Sequence, residues 1–273
     1  SALSDAQCGQ LREFVQRGGG LVATSETSLC DEWGVRRKDF GLADLFGARF
    51  TGRIEGPMHN AYLRLEHAAA PGHPLLAGLA DAPRIIHGVW RVGVSPTTPS
   101  SAPPLTFIPP YPDLPMEKVF TRTPSTDIPQ VFLHDVGAGR VVYFPWESDR
   151  TGGEILDVDH GKLLRNAVIW ATNEPAPVAV EGAGVLDVTV WQQTNSVTVH
   201  LVNLTNPMMM KGPIRELLPI GQQTVRVRLP DGLRAQSVRL LVAGTRPEFQ
   251  QKSEWLEVVV SRIIAHEVVA IDV

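Results

Sequence analysis

Only two cysteines, Cys8 and Cys30, occur in 273 residues. That is too few for a disulfide framework or a cysteine-rich zinc site. Cys8 falls on the apolar side of a predicted helix and reads as a small buried hydrophobe. No apolar run approaches the roughly 18 residues that a membrane-crossing helix needs, so no membrane partner is expected. No signal-peptide pattern opens the chain, and Ser1 leads almost directly into a helix signal. The expectation is a fragment, or a chain whose upstream segment has been removed. It would be soluble, in the cytoplasm or secreted. Positive charge is also scarce: 25 Lys and Arg stand against 29 Asp and Glu, for a net charge of −4. No basic stripe is visible, which disfavours a nucleic-acid partner. His59, His67 and His73 are near one another but match no zinc spacing. Asp157-Val158-Asp159-His160 lacks the glycine and terminal glutamate of a calcium loop and reads as a helix cap. Neither a metal nor a cofactor is expected.

What is present is an ordinary globular composition, 43% hydrophobic and 20% charged, long enough for two modest domains or one large one. Ser4-Asp5-Ala6-Gln7 has the form of a capping box. Cys8, Leu11, Phe14 and Val15 then follow a helical period. Gly18-Gly19-Gly20 should stop that helix, and Leu21–Thr24 should form a short buried strand. The three glycines are no phosphate cradle, because a cradle needs the strand before it and a helix start after it. A short helix is expected over Asp39–Phe46. Residues 48–125 hold strand-like pieces at Arg84–His87 and Leu105–Ile108, separated by prolines that mark loops or sheet edges. Strands at Gln130–His134 and Arg140–Phe144 flank a hairpin turn at Asp135–Gly139. A helix from about Asp159 to Thr172, capped by Asp159, carries Leu163, Leu164, Ala167, Val168 and Trp170 on its apolar side.

Asn173-Glu174-Pro175-Ala176-Pro177 ends that helix and reads as a linker. Beyond it the pattern alternates. Leu186, Val188 and Val190 are interleaved with polar residues, as are Val197, Val199 and Leu201, and Val225, Val227 and Leu229. With further strands at 238–243, 255–260 and 267–273, this indicates an antiparallel β-sandwich. Met208-Met209-Met210 sits in a loop-like insert and reads as a hydrophobic plug. Asn203-Leu204-Thr205 matches a glycosylation acceptor, but the strand it falls on makes the match accidental.

Several strings resemble the central and C-terminal parts of bacterial β-galactosidase-like glycoside hydrolases. They are "LREFVQRGGGLVATSET" at Leu11–Thr27, "HPLLAGL" at His73–Leu79, "GRVVYFPWESDRT" at Gly139–Thr151, "DHGKLLRNAVIWA" at Asp159–Ala171 and "VTVHLVNLTNP" at Val197–Pro207. The resemblance implies a central trimerisation domain of class I glutamine amidotransferase-like fold over residues 1–175. That is a partial flavodoxin-like parallel sheet with helices, apparently lacking its N-terminal strands. It implies a C-terminal β-sandwich domain over 178–273. The catalytic barrel of such glycosidases would lie upstream, so the resemblance implies an accessory and assembly region that self-associates and cleaves no glycoside itself.

Two other readings stay open. In the amidotransferase-like fold the nucleophile follows a buried strand on a tight turn, and the matching position is Ser25. Such an elbow can expose a hydroxyl beside backbone N–H groups. The family's His-Pro-Glu corresponds to Pro145-Trp146-Glu147, without its histidine, and His160 begins the next helix near the same sheet end. Ser25, His160 and Glu147 are therefore the candidate constellation of a serine ester hydrolase acting on a small ester. The third reading is a non-catalytic sugar-binding module read by the sandwich. Trp146, Trp90 and Tyr111 are candidates to stack on sugar rings, with Glu26 a candidate substrate ligand.

Overall fold

The computed structural model describes residues 2–97, 102–155, 157–206, 213–230 and 232–273. The Met208–Met210 stretch lies outside them. The chain is mixed α/β and mostly sheet. It divides into two compact units, Ser1–Glu174 and Pro175–Val273.

In the first unit, α1 (Asp5–Gln16) opens with the expected reciprocal cap between Ser4 and Gln7. It ends where Gly18 takes φ +111°, a conformation that side chains resist. The chain then enters β1 (Gly20–Thr24). The short α2 (Ala43–Phe46) leads to β2 (Ala48–Glu55), which pairs antiparallel with β5 (Arg91–Pro96). A three-stranded antiparallel sheet places β3 (Tyr62–Leu65) between β4 (Arg84–Ile86) and β6 (Leu105–Ile108). The hairpin β7 (Phe132–Val136) and β8 (Gly139–Phe144) follows, then α3 (Ser148–Ile155) and α4 (Val158–Thr172).

The strand β8 organises this unit. It pairs parallel with β1 and antiparallel with β7. Its run Val141-Val142-Tyr143-Phe144 is fully buried and feeds two cores by strict alternation. Val141 and Tyr143 join Cys8, Val15 and Phe46 on one face; Val142 and Phe144 join Trp146, Leu163 and Ala167 on the other. A strand covered on both faces reads as a continuous apolar run, as this one does. Gly139 begins β8 under the end of α1. A Cβ there would strike the carbonyl oxygens of Val15 and Gly19, so the position requires glycine.

Among its described residues the second unit has eight strands. One sheet runs in the order β10 (Leu186–Gln192), β11 (Ser196–Asn203), β16 (His266–Asp272) and β13 (Ser237–Leu240). The other runs β14 (Phe249–Lys252), β15 (Trp255–Val260), β12 (Gln223–Arg228) and β9 (Val178–Gly182). All pairings within them are antiparallel. Val199, Leu201 and Val269 of the first meet Val225, Val227 and Leu256 of the second in one core, which makes the unit a sandwich.

Several expectations need correction. The stretch Leu21–Thr24 does enter a sheet parallel to β8, but β1 lies at the edge of a three-stranded mixed sheet and not in its middle. The helix expected over Asp39–Phe46 is confined to its last four residues, because the side chain of Asp39 instead accepts from the Phe40 and Phe50 amides. The cap of α4 is Asp157, whose extended backbone (φ −75°, ψ 128°) lets its carboxylate accept from the Asp159 amide. Helix α3 was hidden by Gly152-Gly153, which weaken any helical signal.

Candidate functional site

Because β1 and β8 are parallel, both end at one sheet edge. Open α/β sheets bind ligands at the carboxyl ends of such strands. Ser25 leaves β1 there with φ 49°, in the left-handed region that non-glycine residues rarely occupy. Its amide donates to the Phe144 carbonyl (2.8 Å), and its own carbonyl accepts from the Tyr143 hydroxyl (2.7 Å). Burial, reinforced by the nearby Glu26 charge, pushes Tyr143 well above its ordinary range, so it stays a hydroxyl donor. The turn is closed by the Thr27 hydroxyl on the Thr24 carbonyl (2.7 Å). The backbone of Ser25 is thus held from both sides. Glu26 is half-buried and pairs with Arg36 at 3.0 Å.

From the end of β8 the chain runs through Pro145-Trp146-Glu147. Trp146 is fully buried. Its indole N–H donates to the Gln130 carbonyl (3.1 Å), and its rings lie among Phe144, His87 and His160. No face is left for a sugar, so the stacking role expected for Trp146 is replaced by a core role. Glu147 pairs with Arg150 at 3.1 Å. Trp90 is partly exposed beside Gly56, and Tyr111 stacks on Tyr62, over which Arg84 lies at 4.9 Å.

His160 is fully buried. Its Nδ1 lies 2.7 Å from Asp157 Oδ2, and its Nε2 lies 2.9 Å from the Ile86 carbonyl. Both ring nitrogens are therefore engaged within the fold. Burial alone would raise the Asp157 carboxyl; the bonds from His160 and from the Asp159 amide overcome it and hold the carboxyl below its ordinary range. The structure therefore joins His160 to Asp157 and Ile86. Among the described residues it shows no bond from His160 to Ser25 or to Glu147. The predicted residues share one region of the fold, but among the described residues no hydrogen bond links nucleophile, base and orienting acid.

Sequence reasoning missed a second buried histidine. His87 Nδ1 lies 2.9 Å from the Gly88 carbonyl, and Nε2 lies 3.1 Å from Gln130 Oε1, whose amide nitrogen is committed to the Pro129 carbonyl. In "RIIHGVW" nothing marks this histidine as buried; one partner is the carbonyl of the next residue, and the other, Gln130, lies far along the chain just before β7. Burial depresses its pKa from 6.5 to about 4. The unfolded chain takes up this proton first, so the native state has the full benefit above pH 6.5 and loses it as pH falls toward 4. That interval corresponds to roughly 3 kcal/mol. Urea unfolding between pH 7 and 4 should show this decline in the first unit, and His87→Gln should flatten it. An unchanged slope in the variant would remove His87 as the cause.

Two further histidines make local contacts. His67 Nε2 lies 3.1 Å from the Ala82 carbonyl, and His73 Nδ1 accepts from the Leu75 amide. Among the described residues no group of three or more His, Cys, Asp or Glu side chains converges to hold an ion. No described helix is long and apolar enough to cross a membrane. Asn203 is buried in β11, and its amide nitrogen donates to the Leu218 and Ile264 carbonyls, a strand-locking role.

An α-L-fucosidase isoenzyme 2 from Paenibacillus thiaminolyticus matches 99% of the chain at a TM-score of 0.70 and 16% identity, over 39% of its own length. The fold is shared with a region of a glycosidase. A β-galactosidase from Bacillus circulans sp. alkalophilus (TM-score 0.59, 11% identity) matches 99% of the chain over 31% of its own. A cold-adapted β-galactosidase from Rahnella sp. R3 (TM-score 0.58, 14% identity) matches 100% of the chain, again over 31% of its own. The chain thus spans between about a third and two fifths of the length of these structures. No family model and no curated relative matches it. At these identities the likeness is one of fold.

Proposed function

We propose that this chain is an accessory and assembly region of a carbohydrate-active hydrolase of β-galactosidase-like type, with the first unit as an amidotransferase-like domain. The observation that carries this reading is the match of 99% of the chain to 39% of a longer α-L-fucosidase structure. The parallel β1–β8 pair with α1 and α4 packed on it supports the amidotransferase-like reading. The carboxylates nearest the sheet edge are each tied to an arginine, Glu26 to Arg36 and Glu147 to Arg150. They are not a free pair flanking a glycosidic bond. Self-association is supported by the exposed apolar side chains of the first unit, notably Trp33, Leu114 and Met116.

Light scattering coupled to size exclusion should therefore show an oligomer at micromolar concentration, with no cleavage of p-nitrophenyl galactosides or fucosides. A strict monomer, or turnover of either glycoside, would overturn the proposal. The ester-hydrolase reading keeps one favourable observation, the left-handed backbone of Ser25 at the end of β1. It ranks second because both ring nitrogens of His160 are engaged elsewhere. Ester turnover abolished in Ser25→Ala would reverse that order.

A further inference from the structure

We infer that the outer face of the β10–β11–β16 ladder binds a neutral saccharide, with Trp191 as its stacking platform. The inference rests on the carbohydrate-accessory reading above and gives it a specific site. Residues directly paired across strands point to the same side of a sheet. The register pairs Trp191 with Thr198, Thr189 with His200 and Asp187 with Val202. The alternate residues Val188, Val197, Val199 and Leu201 turn inward to the core. Trp191, Thr189, Asp187, Thr198 and His200 therefore share the outer side.

Three features of that side favour a sugar. First, Trp191 is 63% exposed, although an indole ordinarily buries most of its large apolar area. Second, its neighbours are short hydrogen-bonding groups: two threonine hydroxyls, the Asp187 carboxylate and the His200 imidazole. His200 is braced by the near-parallel ring of His266 (centroids 6.4 Å apart, 17° between planes). An open aromatic face at one end of a row of donors and acceptors matches the two-sided chemistry of a pyranoside, whose C–H face is apolar and whose rim is hydroxylated. Third, β10, β11 and β16 contain no lysine or arginine. The basic residue that continues the Trp191–Thr198–Ala270 row, Arg239 of β13, is already paired with Asp272 at 3.2 Å, so an uncharged ligand fits this face better than a polyanion does. From Trp191 to Asp187 the face runs for roughly 13 Å, room for more than one sugar ring.

The test is titration of the full chain with lactose, methyl β-galactopyranoside and methyl α-fucopyranoside, followed by amide chemical shifts. At least one should bind with a Kd in the millimolar range and little dependence on salt. Trp191→Ala should weaken it by about tenfold or more, and Asp187→Asn by several-fold. Trp191 is exposed, so the variant should unfold at the same denaturant concentration as the parent. No shift with any of the three sugars, or equal affinity in Trp191→Ala, would overturn the site. A variant that loses sugar binding while its oligomeric state is unchanged separates this proposal from the assembly reading.

Discussion

Trp146→Ala should lower the stability of the Ser1–Glu174 unit by about 3–5 kcal/mol, the range for removing a buried aromatic side chain. Trp146 is fully buried at the junction between β8 and α3. It touches the aromatic ring of Phe144 and lies between two histidine rings, with centroids 5.1 Å from His87 and 5.7 Å from His160. Alanine would leave a cavity in the core shared with Phe144, Leu163 and Ala167, and the Gln130 carbonyl would lose its indole donor. Hydrogen exchange in urea gives the readout. Protection of the β8 amides should collapse at lower denaturant, while protection in β11 and β12 should hold, since those strands share a separate core. Equal loss in both units, or none in β8, would contradict the central role given to this side chain.

The second large effect is expected in the other unit. Glu267 is buried, and its carboxylate accepts three backbone N–H bonds: Oε1 from Val242 (2.9 Å) and Val268 (2.8 Å), Oε2 from Ala243 (3.0 Å). It anchors the turn that follows β13 to the start of β16. Bonds to a charged acceptor are the stronger kind, and three amides would lose their partner at once. Glu267→Ala should therefore cost about 3 kcal/mol in the sandwich. Glu267→Gln should cost less, because it keeps one acceptor oxygen while turning the other into a donor that faces an amide. The expected pattern is the reverse of the first experiment, with protection lost in β11 and β16 and retained in β8. A denaturation midpoint unchanged by Glu267→Ala would show that the turn is held by other bonds.

What is legible in the sequence depends on how far each cause lies from its effect along the chain. The cap of α1 was legible because Ser4 and Gln7 are three residues apart and satisfy each other's backbone. The sandwich was legible because β10, β11 and β12 each alternate apolar and polar residues over their own length. The choice of Asp157 over Asp159 as the cap of α4 was not legible, since two acids two residues apart suit the role equally until the backbone selects one. The roles of Trp146 and His160 were misread for a related reason. Both looked like surface chemistry beside a strand end, yet His160 finds its carbonyl partner at Ile86 and Trp146 finds its own at Gln130.

By itself the sequence determined the caps, the glycine stop after α1, the hairpin β7–β8, the change of texture near Pro175 and the lack of a metal-ligand spacing. These are local matters of hydrogen-bond supply and apolar period, decided within a few residues. Tertiary structure alone decided that β1 sits at a sheet edge, that His87 and His160 are buried around Trp146, and that Trp191 shares an open face with Asp187 and His200. Those outcomes depend on which strand pairs with which and in what register, and a one-residue slip in register would send every side chain to the opposite face.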